Sequence, residues 1–258
     1  MLATLFWILL FLVALPALAV AGALLVRQRV GPEVLARHND VAGFIYAVIG
    51  VVYAVLLGFT AIIVWEQFRH AGGVAEQEAN ELADLFRDAQ VFPPEPRRRI
   101  ETGVRAYVRI VLEQEWPAMA EGRSSPEAWD AYNQLWRIYY EIKPEDDHQR
   151  AWYAESIHRL NLLGDHRRNR MLTVRAGVPA VMWAALIGGG IVTIAFSFLF
   201  GTRSARAQAA MTVGLSLVIG LMLLAILALE DPFAGITRVH PEAFRQVGEI
   251  FGSLGRTP

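Results

Sequence analysis

Three apolar side chains, each about one helical turn from the next, are the first candidates for a functional site. Val51, Val55 and Phe59 recur at i, i+4 and i+8, so a helix places them on one face. A ring of such side chains from several copies around an axis would form a dry constriction that gates ions by dewetting. The same spacing also serves lipid contact or bundle packing, and periodicity alone favours that simpler interpretation.

A second candidate lies where the apolar stretch ends. Trp65 is the aromatic residue expected at a membrane interface, and Glu66 follows it. Glu66 could attract cations at a pore mouth, but an ion pair with Arg69 is the simpler expectation. The next helical turns carry acidic residues that fit a solvated helix face better than an acidic vestibule: Glu76, Glu78, Glu81 and Asp84.

Most other chemistry has no support in the sequence. There is no cysteine, which excludes disulfides, thiol catalysis and thiolate metal sites. The six histidines do not have the spacing of a metal site, and no nucleotide-binding or hydrolase motif occurs in its expected context. A net charge of −1 gives no field for nucleic acid. We therefore expect no enzyme activity, no cofactor, no metal and no nucleic-acid partner.

The element that must position these residues is the stretch from Val41 to Phe68. Its first 25 residues carry no charge, enough for a helix of about 37 Å against a hydrocarbon core of ~30 Å. It continues without proline into a polar segment with helical periodicity, where a heptad-like seam follows: Ala75, Ala79, Leu82, Phe86 and Ala89. The pattern predicts a membrane helix that continues as a polar helix, interrupted at most at Gly72 and Gly73.

Composition and hydropathy predict an all-α, four-pass helical membrane protein. The chain is 54% hydrophobic and 19% charged. We expect membrane helices 1 and 2 in residues 1–65, a helical extramembrane domain in 66–177, membrane helices 3 and 4 in 178–229, and an amphipathic tail in 230–258. Small residues, including the three glycines at 188–190, should allow close helix approach in the third membrane helix.

The distribution of arginines does not decide which side of the membrane the 66–177 domain faces. Arg27, Arg29, Arg203 and Arg206 flank the short loops, whereas Arg167, Arg168, Arg170 and Arg175 precede the third membrane helix from the opposite side. The positive-inside rule therefore gives no decision. A bacterial inner membrane is the expected location.

The 66–177 segment predicts several helices separated by prolines. Pro93, Pro94 and Pro96 should end the long helix, and Pro117 together with the EGRSS stretch should break the next one. Ser125 followed by Pro126 and Glu127 is typical of a helix start. The aromatic helix after it and a last helix to about residue 175 complete an all-helical insertion.

Several stretches of the sequence resemble the bestrophin-like domain family of bacterial membrane proteins. The resemblance covers Leu57-Gly58-Phe59 with Trp65-Glu66-Gln67-Phe68, the stretches at 115–122 and 162–172, and EDPFAGITRVHPEAF at 230–244. It implies a four-crossing layout and assigns a tail motif to Asp231, Pro232 and Phe233. More distantly, the chain is similar to the bestrophins, which are pentameric ion channels.

Matched on Gly58-Phe59, the apolar neck of bestrophins would fall on Phe59, Val55 and Val51. The resemblance implies a homo-oligomer, a pentamer, with permeant ions and the lipid bilayer as partners. Two features depart from bestrophins. The spacing from Phe59 to the Trp65–Phe68 run is about one helical turn shorter, and the tail lacks the acidic run of the calcium-sensing channels.

The leading hypothesis is an oligomeric ion channel with a neck on the second membrane helix. The alternative is a non-conducting, membrane-anchored interaction or sensory protein. It is motivated by the seam at 75–89 and by the aromatic helix that carries Trp129, Trp136 and Tyr139.

Overall fold

The computed structural model describes residues 2–174 and 177–254, which are almost entirely helical and contain no strand. Contacts divide the chain into two compact units. The membrane unit comprises the described residues of 1–66 and 177–230, and the polar unit those of 67–176 and 231–258. One continuous helix, α4, passes from the first unit into the second.

Among the described residues, four helices are long and apolar enough to cross a membrane: Leu5–Val30, Asn39–Val91, Ala180–Ser197 and Ala205–Glu230. In chain order the helices of this unit are α1 (Leu2–Leu9), a π-helical turn (Leu10–Ala14), α2 (Leu15–Val30), α3 (Pro32–Ala36), the first part of α4 (Asn39–Asp88), α9 (Ala180–Ser197) and α10 (Ala205–Glu230). The predicted four-pass, all-helical fold is confirmed.

Small residues let the helices of the membrane unit approach closely, as expected. A Cβ on Gly220 of α10 would lie 2.3 Å from the carbonyl oxygen of Phe11, inside the π-helical turn. A Cβ on Gly189 of α9 would lie 2.6 Å from the ring of Tyr53 on α4. Only glycine permits these two approaches without displacing a neighbour.

The polar unit is built from the second part of α4, a 3₁₀ turn (Ala89–Val91), α5 (Pro94–Ile110), a π-helical turn (Val111–Glu115), α6 (Trp116–Met119), α7 (Pro126–Glu141), α8 (Asp147–Thr173) and α11 (Glu242–Leu254). Its core joins the seam of α4 to the buried faces of α5, α7 and α8. Phe244, Val247 and Phe251 of α11 lie in the same core, and the Phe251 ring stacks on Phe86 at 4.3 Å.

Two local predictions about this unit are confirmed. Helix α4 runs without a break through Gly72 and Gly73. The Ser125 hydroxyl accepts a hydrogen bond from the Ala128 backbone at 3.3 Å, so it caps α7. Arg175, which we counted near the start of the third membrane helix, lies outside the described residues.

The predicted break at Pro117 and the EGRSS stretch is wrong for Pro117, because the helix ends only where that stretch begins. The helix widens into the π turn, where the Trp116 N–H donates to the Val111 carbonyl, and then continues through Pro117 to Met119. A wider turn accommodates a residue that lacks an N–H and whose ring would collide with a regular helical carbonyl.

Candidate pore-lining face and buried ion network

The predicted neck residues lie on the face of α4 that its own chain leaves uncovered. Val51, Val55 and Phe59 are 64%, 51% and 64% exposed. The exposed apolar face extends along the helix in both directions and also includes Phe44, Val48, Val52 and Ile62. Residues on this face are available to lipid or to another copy of the chain.

The opposite face of α4 is fixed by the membrane unit. Tyr53, Leu57, Thr60 and Val64 are buried there. The Tyr53 hydroxyl donates to the Leu186 carbonyl of α9 at 2.9 Å. This division into one packed face and one open face determines which way the neck residues point.

The two predicted mouth residues are also exposed. Trp65 is half exposed, and Glu66 forms no ion pair with any described residue. The expected pair with Arg69 is therefore wrong in the described chain. An exposed aromatic residue followed by an unpaired carboxylate stands at the end of the uncharged stretch.

The tail motif is mainly a packing element. Phe233 is buried against Ala71 and Met119, and its ring meets Trp116 edge-on at 5.5 Å. Pro232 is buried, and its carbonyl accepts from the Val239 N–H at 2.8 Å. The Asp231 side chain is exposed, while its carbonyl closes a turn with Gly235.

The expectation that Glu78 belongs to a solvated face is wrong. Its side chain is completely buried, whereas Glu76 is exposed and Glu81 and Asp84 are partly covered. A charge buried to this degree requires compensation, since an isolated carboxylate in an apolar core is very costly. The compensation comes from α8, which lies far away in the sequence.

Glu78 belongs to a buried ion network in the polar unit. Arg170 donates to Glu78 through Nε at 2.6 Å and Nη2 at 2.8 Å, and through Nη2 to Glu115 at 2.6 Å. Arg167 donates to the other Glu115 oxygen at 2.5 Å, and the Tyr107 hydroxyl donates to Glu78 at 2.7 Å. Two guanidinium groups thus balance two carboxylates.

The surroundings of the network reinforce these charges. The Arg170 guanidinium lies 5.6 Å from the ring centres of Trp116 and Phe244, a favourable arrangement for a cation. Burial alone would lower the pKa of Arg170, but the carboxylates of Glu78 and Glu115 raise it overall. Burial also raises the pKa of Tyr107 well above its ordinary value. Both groups therefore keep their protons.

A second ion cluster surrounds Arg159 on α8. Its guanidinium contacts Asp84, Asp88 at 3.0 Å and Glu155 at 3.0 Å, and it lies 3.6 Å from Glu81. Burial raises the pKa of Asp88 despite the nearby Arg159. The described residues contain no group of three or more side chains arranged to hold a metal.

A sequence signal for the buried network does exist. On α8 the buried positions follow the order Leu160, Leu163, Arg167 and Arg170, so the arginines continue an apolar stripe with steps of three and four. Glu78 continues the Ala71–Ala75 stripe in the same manner. A charge on a core stripe predicts a buried partner, which we did not infer because we assigned Glu78 to the solvent side.

One of the two features that motivated the alternative, a non-conducting interaction or sensory protein, is buried. Every seam residue from Ala75 to Ala89 is buried in the polar unit. The seam therefore offers no surface to a partner protein. On α7, Trp129 and Tyr140 remain exposed, and Arg167 lies 5.3 Å from the Trp129 ring centre.

Comparison with known proteins identifies the family. The model of the bestrophin-like domain matches residues 13–244. A bestrophin homologue from Klebsiella pneumoniae, solved as a point mutant, is similar over 95% of this chain and 99% of its own, with a TM-score of 0.73 and 14% identity.

A second crystal structure of a Klebsiella pneumoniae bestrophin homologue aligns over 94% of this chain and 98% of its own, with a TM-score of 0.67 and 16% identity. At this identity the likeness concerns the fold. A comparison with curated proteins gives no match. The family match covers most of the sequence, and the chain is a membrane protein that belongs to the bestrophin-like family.

Proposed function

We propose that the protein is an oligomeric ion channel whose pore is lined by α4. The observation that carries the proposal is the open apolar face of this helix, with Val51, Val55 and Phe59 directed away from their own chain. Several copies that bring this face to a common axis form a dry neck, at which ions meet a dewetting barrier. Trp65 and Glu66 form the pore mouth.

Membership of the bestrophin-like family supports this assignment. By that resemblance the assembly is a homopentamer in a bacterial inner membrane, with permeant ions and lipid as its partners. Lipid alone could cover an apolar face of this kind, because apolar side chains have no preference between lipid and another helix. Oligomeric state is therefore the property to measure first.

The first experiment is single-particle projection of the purified full chain in lipid nanodiscs. We expect a ring with a central axis, with five copies the number implied by the family resemblance. A monomer or a two-fold dimer would overturn the pore. It would favour the non-conducting interaction protein, whose candidate surface is the exposed aromatic part of α7.

The second experiment tests the neck by ion flux into liposomes. Phe59→Ala removes the largest side chain of the neck and should change the rate or ion selectivity of flux. Phe6→Ala is the matched control, because Phe6 is an exposed phenylalanine on a different helix of the membrane unit. Flux with unchanged rate and selectivity in Phe59→Ala would overturn the neck assignment.

A further inference from the structure

We propose that the membrane unit binds an anionic phospholipid where residues 27–40 meet residues 200–208. Arginines of these two segments hold the phosphate group, and an adjacent cavity holds part of an acyl chain. This inference is independent of conduction and of the neck.

The two segments form one built corner of the membrane unit. The Asn39 side chain exchanges hydrogen bonds with the backbone of Gly201, at 2.9 Å to its carbonyl and 3.0 Å from its N–H. A Cβ on Gly201 would lie 2.3 Å from the Ala36 nitrogen, so the two segments touch through their backbones. The corner is therefore fixed before any ligand arrives.

Arg27 stands at this corner as a half-buried cation that has no counterion among the described residues. Its Nη1 donates to the Thr202 carbonyl at 2.6 Å and to Gln208 at 3.0 Å, and its Nη2 donates to the Arg203 carbonyl at 3.2 Å. All three acceptors are neutral. They orient the guanidinium but leave its charge uncompensated.

The charge around Arg27 has the same sign. The two segments carry five arginines (Arg27, Arg29, Arg37, Arg203 and Arg206) against two carboxylates, Glu33 and Asp40. Within the described chain, none of these arginines forms an ion pair. Such an excess of unpaired guanidinium groups favours a phosphate, which a guanidinium binds through paired hydrogen bonds.

An apolar cavity adjoins the charged corner. It has a volume of about 350 Å³, in the range of ligand sites, and is lined mainly by Tyr46, Phe200, Met211 and Leu215. Thr202 and Gln208 also line it, and these are the residues that hold Arg27. A ligand with a phosphate beside an apolar chain matches this arrangement, and a basic pocket between membrane helices is a known form of headgroup site.

The experiment measures lipid retention by native mass spectrometry of the full chain, after delipidation and incubation with phosphatidylglycerol or phosphatidylcholine. The charge variant is Arg203→Gln combined with Arg206→Gln, since both side chains are exposed and make no hydrogen bond or ion pair in the described chain. The cavity variant is Met211→Trp, which fills the space without altering charge. The control is Arg98→Gln, an exposed arginine of the polar unit.

We expect retention of phosphatidylglycerol over phosphatidylcholine. The charge variant should weaken it by roughly thirtyfold, since two basic residues that attract an anionic headgroup are lost. Met211→Trp should reduce retention as well, and Arg98→Gln should leave it unchanged. Equal retention of both lipids, or full retention in either site variant, would overturn the site. Competition by inorganic phosphate at equal concentration would identify a free-phosphate site and overturn the lipid assignment.

Discussion

At the scale of single residues, the buried network makes Arg170 indispensable to the polar unit. It is the largest fully buried side chain in the described chain, and it neutralises Glu78 while sharing Glu115 with Arg167. A buried ion pair adds little over an apolar substitute of equal volume, but removing one partner leaves a charge without compensation. We therefore expect a large loss of stability when one member of the network is removed.

Arg170→Met should lower the free energy of unfolding by about 3–5 kcal/mol, because Glu78 and part of Glu115 lose their cation. The measurement is chemical denaturation of the full chain in detergent micelles. Arg168→Met on the same helix is the matched control, since Arg168 is exposed and forms its ion pair with the exposed Asp165. The control should stay within about 0.5 kcal/mol of the parent. A loss below about 1 kcal/mol in Arg170→Met would contradict a sealed network.

Asp88 should make stability depend on pH. Burial raises its pKa above the ordinary value of 3.8, so the folded chain holds this proton at pH values where the unfolded chain has lost it. The folded state then binds more protons in this window, and stability falls as pH rises through it. Asp88→Asn should make that fall shallower in thermal unfolding curves recorded from pH 4 upward.

The control for Asp88 is Asp165→Asn. This variant also removes a carboxylate from the polar unit, but one that is exposed and not buried. Equal slopes for Asp88→Asn and the parent protein would show that Asp88 does not contribute to the pH dependence. Since Glu81 also has a pKa raised by burial, part of the slope should remain in the Asp88 variant.

At the scale of elements, glycines set the distance between α4 and α9. Gly189→Ala would place its Cβ 2.6 Å from the Tyr53 ring, which is buried and tied to the Leu186 carbonyl. We expect a loss of about 1–3 kcal/mol from this overpacking, measured by denaturation in detergent. Gly188→Ala is the neighbouring control, because nothing lies within 4 Å of its new Cβ. Equal stability of the two variants would contradict the close approach.

Much of the element order could be predicted, because long uncharged stretches and core stripes leave strong local signals. The seam at Ala75–Ala89 and the cap at Ser125 are examples. Pairings between distant helices leave a much weaker signal. Glu78 and Arg170 are 92 positions apart, and the sequence around either residue does not indicate that the other is its partner. Asn39 shows the same limit, since nothing near it in the sequence indicates that its side chain binds the backbone of Gly201, 162 positions away.

The π turns were missed for a different reason. Leu10–Ala14 is followed by Leu15 and Pro16, and Val111–Glu115 by Trp116 and Pro117. In both places a proline inside a helix is accommodated by a widened turn before it, rather than by ending the helix. We treated the proline at 117 as a stop.

At the scale of the whole molecule, the apolar face of α4 is among the surfaces that the described chain leaves exposed. Helix α4 buries Tyr53, Leu57 and Val64 within the membrane unit and exposes a long apolar face on the other side. The chain's own residues do not cover this face, so its role depends on what surrounds the protomer. In the proposed channel, its neighbours are the same faces of other copies and the water column between them.

A hydroxyl in the neck distinguishes a dewetting barrier from a lipid contact. Val55→Thr keeps the shape of the side chain but lets a water molecule hydrogen-bond in the constriction. Lowering the barrier by about 1.4 kcal/mol would raise the rate of ion flux roughly tenfold. Val218→Thr on α10 is the matched control, another exposed valine, away from the proposed axis. If Val55→Thr and Val218→Thr leave the flux rate equally unchanged, water at Val55 does not limit conduction, and the constriction must lie elsewhere in the assembly.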